Sequence, residues 1–276
     1  MSGKLYVVGT PIGNLEDFSP RAVRILSEAD FIAAEDTRVT LKLLNRFEIK
    51  KELVSYYEHN KNDKGQWILD RIAKGEVCAL VSDAGMPAIS DPGEELVRAA
   101  HENGIAVESV PGPSALITAL SISGMPSGRF CFEGFLSVNK VSRKAHLEEV
   151  AREKRTMIFY EAPHKLLATL RDMLSAFGDR EIAIVRELTK IHETVFRTTL
   201  SESIKHYEDN SPRGEFVLII KGCEQEELQE EYTLESATKL AKELVNKGES
   251  ASSAAKKAAA ISGFRKGDIY RLLCEE

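Results

Sequence analysis

The chain has 276 residues, of which 43% are hydrophobic and 29% charged, and its formal net charge is −6. This composition is that of a globular protein with one large domain or two of medium size, and the acidic total limits any nucleic-acid binding to a local basic surface. No apolar run approaches the roughly 20 residues that span a bilayer, and the apolar stretch before Gly9 is too short for a signal peptide. The four cysteines form no C-x-x-C pair. We therefore expect a cytoplasmic protein without disulfides or a metal site.

The first half of the chain alternates short apolar runs with amphipathic stretches. Strands are predicted at Leu5–Val8, Phe31–Ala34, Leu53–Tyr56, Val77–Val81 and Ile105–Val110, and helices at Pro20–Ala29, around Trp67–Ala73, at Glu94–Asn103 and at Ala115–Ser123. Val77–Val81 is continuously apolar, which is typical of a central parallel strand that is covered on both faces. The alternation predicts an α/β fold with a mostly parallel sheet.

A break rich in glycine and proline at 123–128 predicts a domain boundary, which separates residues 1–124 from a second α/β domain at 125–223. Strands of that domain are predicted at Arg129–Phe135, Thr156–Tyr160, Glu181–Val185, Val195–Thr199 and Phe216–Ile220, and helices at Lys140–Lys154 and His164–Phe177. The last strands follow one another closely, which predicts a mixed sheet with antiparallel pairs.

Residues 224–276 are predicted to form an acidic linker and a small helical extension. The acidic run lies within Cys223–Glu231, and helices are predicted at Leu234–Lys247, Ser250–Ile261 and Lys266–Leu273. The extension is locally basic, so it is either a helix-turn-helix-like module for nucleic acid or a polar helical cap.

Three loops, each after a predicted strand, contain glycine and proline: residues 9–14, 82–93 and 111–114. We call them the first, second and third loops. In an open α/β sheet, ligands bind at the carboxyl ends of the strands. The chain has neither a P-loop nor the G-x-G-x-x-G fingerprint after its first strand. The three loops together therefore predict a cleft for a small ligand of another kind.

Polar residues also follow other strands. Ala34–Arg38 combines two carboxylates, a hydroxyl and a guanidinium, although Asp36 or Thr37 could simply cap the helix that follows. In the second half, Tyr160–His164 and Arg186–Lys190 occupy similar positions. They either form local ion pairs and caps or line the same cleft.

The chain resembles the tetrapyrrole-methylase (class III) S-adenosylmethionine methyltransferases over nearly its whole length. The segments that carry the resemblance as a set are Leu5–Asn14, Ala33–Arg38, Ser82–Gly93, Val110–Ser114, Phe132–Phe135, Phe159–His164, Arg186–Glu193 and Arg213–Ile220. The most specific strings are Ala34–Arg38 and Ser82–Gly93. The resemblance implies two α/β domains with S-adenosylmethionine (SAM) in the cleft between them, a homodimer and no metal. Within this family, the chain most resembles the members that methylate the ribose 2′-hydroxyl of a cytidine in the decoding region of 16S rRNA. The implied partner is therefore 16S rRNA or the small ribosomal subunit, and the alternative is a methyltransferase of the same fold that acts on a tetrapyrrole or another small molecule.

The resemblance also suggests which residues bind the cofactor and which act in catalysis. For SAM binding we expect Gly9, Pro11, Ser82, Asp83, Gly85, Pro87, Ala88, Ile89, Pro111, Gly112 and Ser114. A ribose hydroxyl is a weak acid, so a base should assist its methylation. We expect Asp36 or Glu35 in that role, Arg38 on a phosphate, and Lys190 and Glu187 as further candidates from the second domain.

Overall fold

The structure is a computed structural model and describes residues 3–223 and 233–274. The chain divides into two compact units, residues 1–223 and 224–276. Most of the predicted acidic linker lies outside the described residues.

Five strands of the first unit form an all-parallel first sheet in the order β3-β2-β4-β1-β5. They are β1 (Lys4–Val8), β2 (Phe31–Ala34), β3 (Glu52–Ser55), β4 (Val77–Val81) and β5 (Ala106–Val110). Strands β2 and β4 are buried along nearly their whole length, because helices cover both faces of the sheet. The predicted parallel α/β sheet is thus confirmed.

Five helices accompany the first sheet, and side chains cap the first two of them. They are α1 (Pro20–Glu28), α2 (Thr37–Arg46), α3 (Lys61–Ala73), α4 (Glu94–Glu102) and α5 (Ala115–Ser123). Ser19 accepts a hydrogen bond from the Ala22 backbone N–H, and Pro20 occupies the first helical position of α1. Asp36 caps α2 in the same way, accepting from the Arg38 N–H.

The second sheet is mixed, as predicted, and its order is β6-β7-β10-β8-β9. Its strands are β6 (Phe130–Phe135), β7 (Thr156–Glu161), β8 (Glu181–Arg186), β9 (Thr194–Thr199) and β10 (Phe216–Ile220). Only β6 and β7 pair in parallel, and the other neighbours are antiparallel. The accompanying helices are α6 (Lys140–Glu149), α7 (Leu166–Phe177) and α8 (Leu200–Asp209). The sequence had not predicted α8.

Helix α5 belongs to the core of the second half. Its buried Ala119 and Leu120 pack with Ile158 of β7 and Val185 of β8, so the helix covers one face of the second sheet. The core of the second half therefore uses a helix that precedes residue 124. The boundary at that residue stays a prediction.

The second unit contains three helices in its described part, α9 (Leu234–Asn246), α10 (Ala251–Ser262) and α11 (Lys266–Cys274). Its core is built mainly from alanine, with Ile269 as the large side chain. Small side chains let helix backbones approach closely. In the part of the chain that the structure describes, no helix has the length and apolar character to cross a membrane.

Candidate functional site

A cavity of about 410 Å³, which we call the central cavity, lies at the carboxyl ends of the parallel strands. The first sheet contributes Ile12 after β1, Glu35 after β2, residues 83–86 and 89–91 after β4, and residues 114–115 after β5. All three glycine- and proline-containing loops therefore meet at one cavity. Its volume falls within the range of roughly 300–1,000 Å³ that is usual for small-molecule sites.

The second sheet forms the opposite wall of the central cavity. Phe135 at the end of β6, residues 160–163 at the end of β7, and Val185 and Leu188 near the end of β8 line it, together with residues 215–217 at the start of β10. Strand β10 runs antiparallel to β7 and β8, so its first residues lie at the same edge as their last ones.

Hydrogen bonds and close packing hold the three loops together. Thr10 and Gly85 exchange two backbone hydrogen bonds of 2.9 and 3.1 Å, which join the first loop to the second. The Thr10 hydroxyl also donates to the Ser82 carbonyl at 3.2 Å. The first and third loops touch at Gly9 and Gly112, where an added Cβ on either residue would come within 2.8 Å of the other's Cα. Only glycine fits this contact, because both sides are backbone.

The predicted cofactor residues all belong to these loops, but only some reach the cavity wall. Those that line it are Asp83, Gly85, Ile89 and Ser114. The others lie in the three loops without lining it: Gly9, Pro11, Ser82, Pro87, Ala88, Pro111 and Gly112. Gly9 and Gly112 set the spacing between loops, whereas Ser82 and Pro87 are buried. The order of residues within a loop does not show which of them line the cavity and which lie behind its wall.

Three carboxylates lie in the wall contributed by the first sheet. Burial, followed by the negative charges of Asp91 and Asp83, raises the pKa of Glu35. Burial likewise raises the pKa of Asp83, and it raises the pKa of Asp91 to about 6. Among the described residues no cluster of acids, histidines or cysteines has the arrangement of a metal site. Carboxylates with raised pKa values in a cavity are suited to proton transfer or to pairing with a cationic ligand.

Asp36 occupies a different environment from Glu35, its neighbour in sequence. Its carboxylate accepts hydrogen bonds from Arg38 at 2.6 and 3.0 Å, and these bonds lower the pKa of Asp36 to about 2. Asp36 does not line the cavity, and the Arg38 side chain is 86% exposed. Such a carboxylate is a weak base. Its backbone N–H donates to Asp83 Oδ1 at 3.1 Å, so Asp36 positions the second loop.

Lys190 and Glu187 are held together beside the second-sheet wall. Lys190 Nζ donates to Glu187 Oε1 at 3.0 Å and to Glu215 Oε2 at 2.9 Å. Burial acts to lower the pKa of Lys190, but these hydrogen bonds outweigh it and raise the value. Lys190 is therefore a stable cation. Glu215 lines the cavity, whereas Lys190 and Glu187 support it from behind.

Backbone strain is concentrated beside the cavity. Five non-glycine residues of the described chain have a positive φ, and four of them are Ala88, Ser90, Glu187 and Thr189. Such conformations cost of order 1–3 kcal/mol each and persist where the surrounding structure holds them. Their location in the second loop and in the loop after β8 supports a functional role for both segments.

Sequence reasoning missed much of the second-sheet wall. Residues 160–163 belong to a segment for which lining the cleft is one of two sequence-based interpretations. Phe135 and residues 215–217 lie in segments that carry the family resemblance, but they are not among the site residues that the sequence predicted. The Tyr160 hydroxyl accepts a hydrogen bond of 3.0 Å from the Leu116 N–H at the start of α5, a helix for which no side-chain cap from Ser114 is found. This contact ties the second sheet to the helix that follows the third loop.

An α/β protein whose two sheets line a cavity of this size has the architecture of a protein that binds a small ligand at its strand ends. The family model "Tetrapyrrole (Corrin/Porphyrin) Methylases" matches residues 4–204. The chain belongs to this family, as its motifs had indicated, and it is a methyltransferase.

Individual relatives and structures agree with that membership. The chain is 48% identical to "Ribosomal RNA small subunit methyltransferase I" of Halalkalibacterium halodurans, over 99% of this chain and 96% of that protein. It is 50% identical over 222 residues to the protein of the same name from Thermotoga maritima, which covers 80% of this chain and all of that protein. A structure of uroporphyrin-III-C-methyltransferase from Thermus thermophilus aligns with a TM-score of 0.56 and 20% identity, over 80% of this chain and 94% of that one. This last likeness shows the fold alone.

Proposed function

We propose that the chain transfers a methyl group from SAM to ribosomal RNA of the small subunit, at the 2′-hydroxyl of a cytidine. The observation that carries the proposal is the 48% identity to a small-subunit rRNA methyltransferase along 99% of the chain. The cytidine and the ribose position rest on the resemblance of the motifs. A cytoplasmic location and a homodimer belong to the same proposal.

The central cavity fits SAM in size and in charge. Glu35, Asp83 and Asp91 place negative charge beside the cavity, which complements a ligand that carries a sulfonium and an ammonium group. The buried Ser82 hydroxyl lies behind the cavity wall beside Asp91, where it acts against the burial that raises the pKa of Asp91. When bound, SAM supplies a methyl group on a positively charged sulfur that leaves as a neutral thioether.

The protein's own part in the reaction is to orient the ribose hydroxyl and to take its proton. With SAM bound, the hydroxyl oxygen would take the methyl group as it gives up its proton, and the electron pair of the carbon–sulfur bond would stay on sulfur. We assign the proton to Glu35, which lines the cavity and whose pKa is raised. A base works best when its pKa lies near the operating pH, and such assistance is worth about 10²–10⁴-fold.

The other candidates have roles that follow from their contacts. Asp36, with its pKa lowered to about 2, acts as a helix cap and loop support. Arg38 is exposed at the start of α2, where its guanidinium can contact a phosphate of the substrate. Lys190 and Glu187 form the ion pair that holds the loop after β8 against Glu215.

The substrate class is tested by offering the same protein three acceptors with labelled SAM: small ribosomal subunits that lack the modification, naked 16S rRNA, and uroporphyrinogen III. We expect transfer to at least one of the two RNA substrates and none to the tetrapyrrole. Transfer to the tetrapyrrole alone would overturn the proposal and favour the small-molecule alternative.

The role of Glu35 is tested with Glu35→Gln, which keeps the size of the side chain and removes its basicity. We expect kcat to fall about 10²–10⁴-fold while the dissociation constant for SAM changes far less. Asp209→Asn on the exposed end of α8 is a matched change of charge outside the cavity and should leave kcat unchanged. Full turnover by Glu35→Gln would exclude this residue as the base.

A further inference from the structure

Phe135, the last residue of β6, is 56% exposed and also lines the central cavity. Ile89 is another exposed apolar residue on the wall, but among the described residues Phe135 is the aromatic residue that combines the two properties. An aromatic ring generally lies buried in the core, where its large apolar area is removed from water. A ring that is part of a ligand cavity and still open to solvent is available for contact with a substrate.

A β-bulge directs Phe135 to this position. The register of β6 against β7 shifts between Phe132 and Gly134, and Gly134 has a φ of +65°. Bulges redirect the side chains that follow them and are frequent beside active sites. A Cβ on Gly134 would lie 3.3 Å from Ser90 Oγ, so the bulge also brings the end of β6 against the second loop, next to Asp91.

The Phe135 ring rests on a rigid support. It packs edge-on against Tyr160, with the ring centroids 5.4 Å apart and the planes at 61°. Tyr160 is held from its other side by Phe132 at 4.9 Å and by the hydrogen bond to its hydroxyl from the Leu116 N–H. The position of Phe135 is therefore set before any substrate binds.

We propose that Phe135 is a substrate-binding residue on which a nucleobase of the RNA stacks while the ribose enters the central cavity. This inference rests on the proposed function. A ribose hydroxyl can reach a carboxylate in the cavity only if its nucleotide leaves the stack of its neighbours, and a base that loses its neighbours is stabilised by an aromatic ring. Phe135 supplies such a ring on the wall opposite Glu35.

The chemistry of this contact predicts what Phe135 does and does not contribute. Every base has a flat face, so stacking on a phenyl ring gives affinity and orientation but little discrimination between bases. The identity of the nucleotide must then be read by other groups. Loss of the ring should weaken RNA use without changing the position that is methylated.

The test compares Phe135→Ala, Phe135→Leu and Phe135→Trp in the full-length protein. The measurements are kcat and KM with small subunits or 16S rRNA, whichever wild type methylates, the SAM dissociation constant by calorimetry, and the melting temperature. Ile122→Ala removes an exposed apolar side chain of α5 outside the cavity lining and serves as the control.

We expect kcat/KM for RNA to fall roughly 5- to 150-fold in Phe135→Ala, mainly through KM, which corresponds to about 1–3 kcal/mol per stacked base. Phe135→Trp should restore most of the loss, and Phe135→Leu, which keeps apolar area without a ring, should not. The SAM dissociation constant and the melting temperature should stay near those of wild type.

Each contrary result has a definite meaning. Wild-type protein that methylates no RNA contradicts the proposed function itself. Active wild type with an unaffected Phe135→Ala variant, or with Phe135→Leu as active as Phe135→Trp, overturns only the stacking role. A rise in the SAM dissociation constant with an unchanged KM for RNA would assign the ring to the adenine of the donor and overturn the inference as well.

Discussion

The contact between Gly9 and Gly112 makes a sharp prediction for Gly112→Ala. The added Cβ would lie 2.8 Å from Gly9 Cα and 2.9 Å from the Gly9 carbonyl carbon and oxygen. Ordinary contacts of a Cβ begin near 3.4 Å, so the first and third loops must separate by roughly 0.6 Å. Neither side can yield by rotating a side chain, because both are backbone.

The size of the effect follows from the cost of overpacking. Inserting a methyl group into a closely packed site costs about 1–3 kcal/mol. In a unit of this length each kcal/mol corresponds to about 2–4 °C, so the melting temperature should fall by about 2–12 °C. If SAM binding requires the original loop spacing, the same cost of about 1–3 kcal/mol raises the dissociation constant for SAM about 5- to 150-fold.

Calorimetry of SAM binding and thermal unfolding measure both effects on one protein. Gly128→Ala is the matched control, since an added Cβ there meets no atom within 4 Å and the residue is not among those with positive φ. Its melting temperature should be unchanged or slightly raised. A Gly112→Ala protein with the melting temperature and SAM affinity of wild type would refute the idea that this contact sets the spacing of the loops.

Three further predictions concern charge and the helical extension. Burial and, after it, the charge of Asp91 raise the pKa of Glu35, so Asp91→Asn should lower that pKa. The acidic limb of the kcat/KM profile should then shift to lower pH, and a limb that does not move would contradict the interaction between the two carboxylates. Arg38→Ala should reduce the salt dependence of RNA binding by about one phosphate contact, while raising the pKa of Asp36 from about 2 towards its ordinary value, and an unchanged slope would rule out the contact. Removal of residues 224–276 should weaken RNA binding and spare SAM binding if the extension is a nucleic-acid module, whereas unchanged methylation of subunits would leave it as a helical cap.

The relative from Thermotoga maritima bears on the last of these predictions. It aligns in full with 222 residues of this chain, a length close to that of the first unit. This shorter protein has the same name as the relative from Halalkalibacterium halodurans that aligns along nearly the whole chain. We therefore expect the truncated chain to keep the methyl-transfer step and to lose affinity for RNA. Measurement of kcat and KM on subunits separates the two.

The pattern of apolar residues predicted well the strands that are buried on both faces. Val77–Val81 and Phe31–Ala34 are apolar throughout because helices cover both faces of their sheet, and such runs stand out in a sequence. Helix α8 was missed because its inward face includes Ser203 among the buried residues and because it starts directly after β9. A polar residue on the buried face weakens the pattern by which a helix is detected.

The first-sheet side of the site was predicted more fully than the second-sheet side, for which the sequence offered Tyr160–His164 and Arg186–Lys190 only as one of two interpretations. The loops after β1, β4 and β5 were found because parallel strands bring their carboxyl ends to one edge. The opposite wall depends on tertiary pairing, above all on the antiparallel direction of β10, which brings Phe216 to that edge. The sequence also does not show the different environments of two neighbouring side chains. Glu35 lines the cavity, whereas the carboxylate of Asp36 pairs with Arg38.

The most direct test of the central claim is to locate the methyl group in the RNA product. Small subunits that lack the modification are incubated with the protein and labelled SAM, and the 16S rRNA is digested and analysed by mass spectrometry. We expect label in a single cytidine that is methylated on the ribose, and an initial rate of labelling about 10²–10⁴-fold lower when Glu35→Gln replaces wild type under the same conditions. Label on a base, or no label in RNA from a wild-type protein that binds SAM, would contradict the claim.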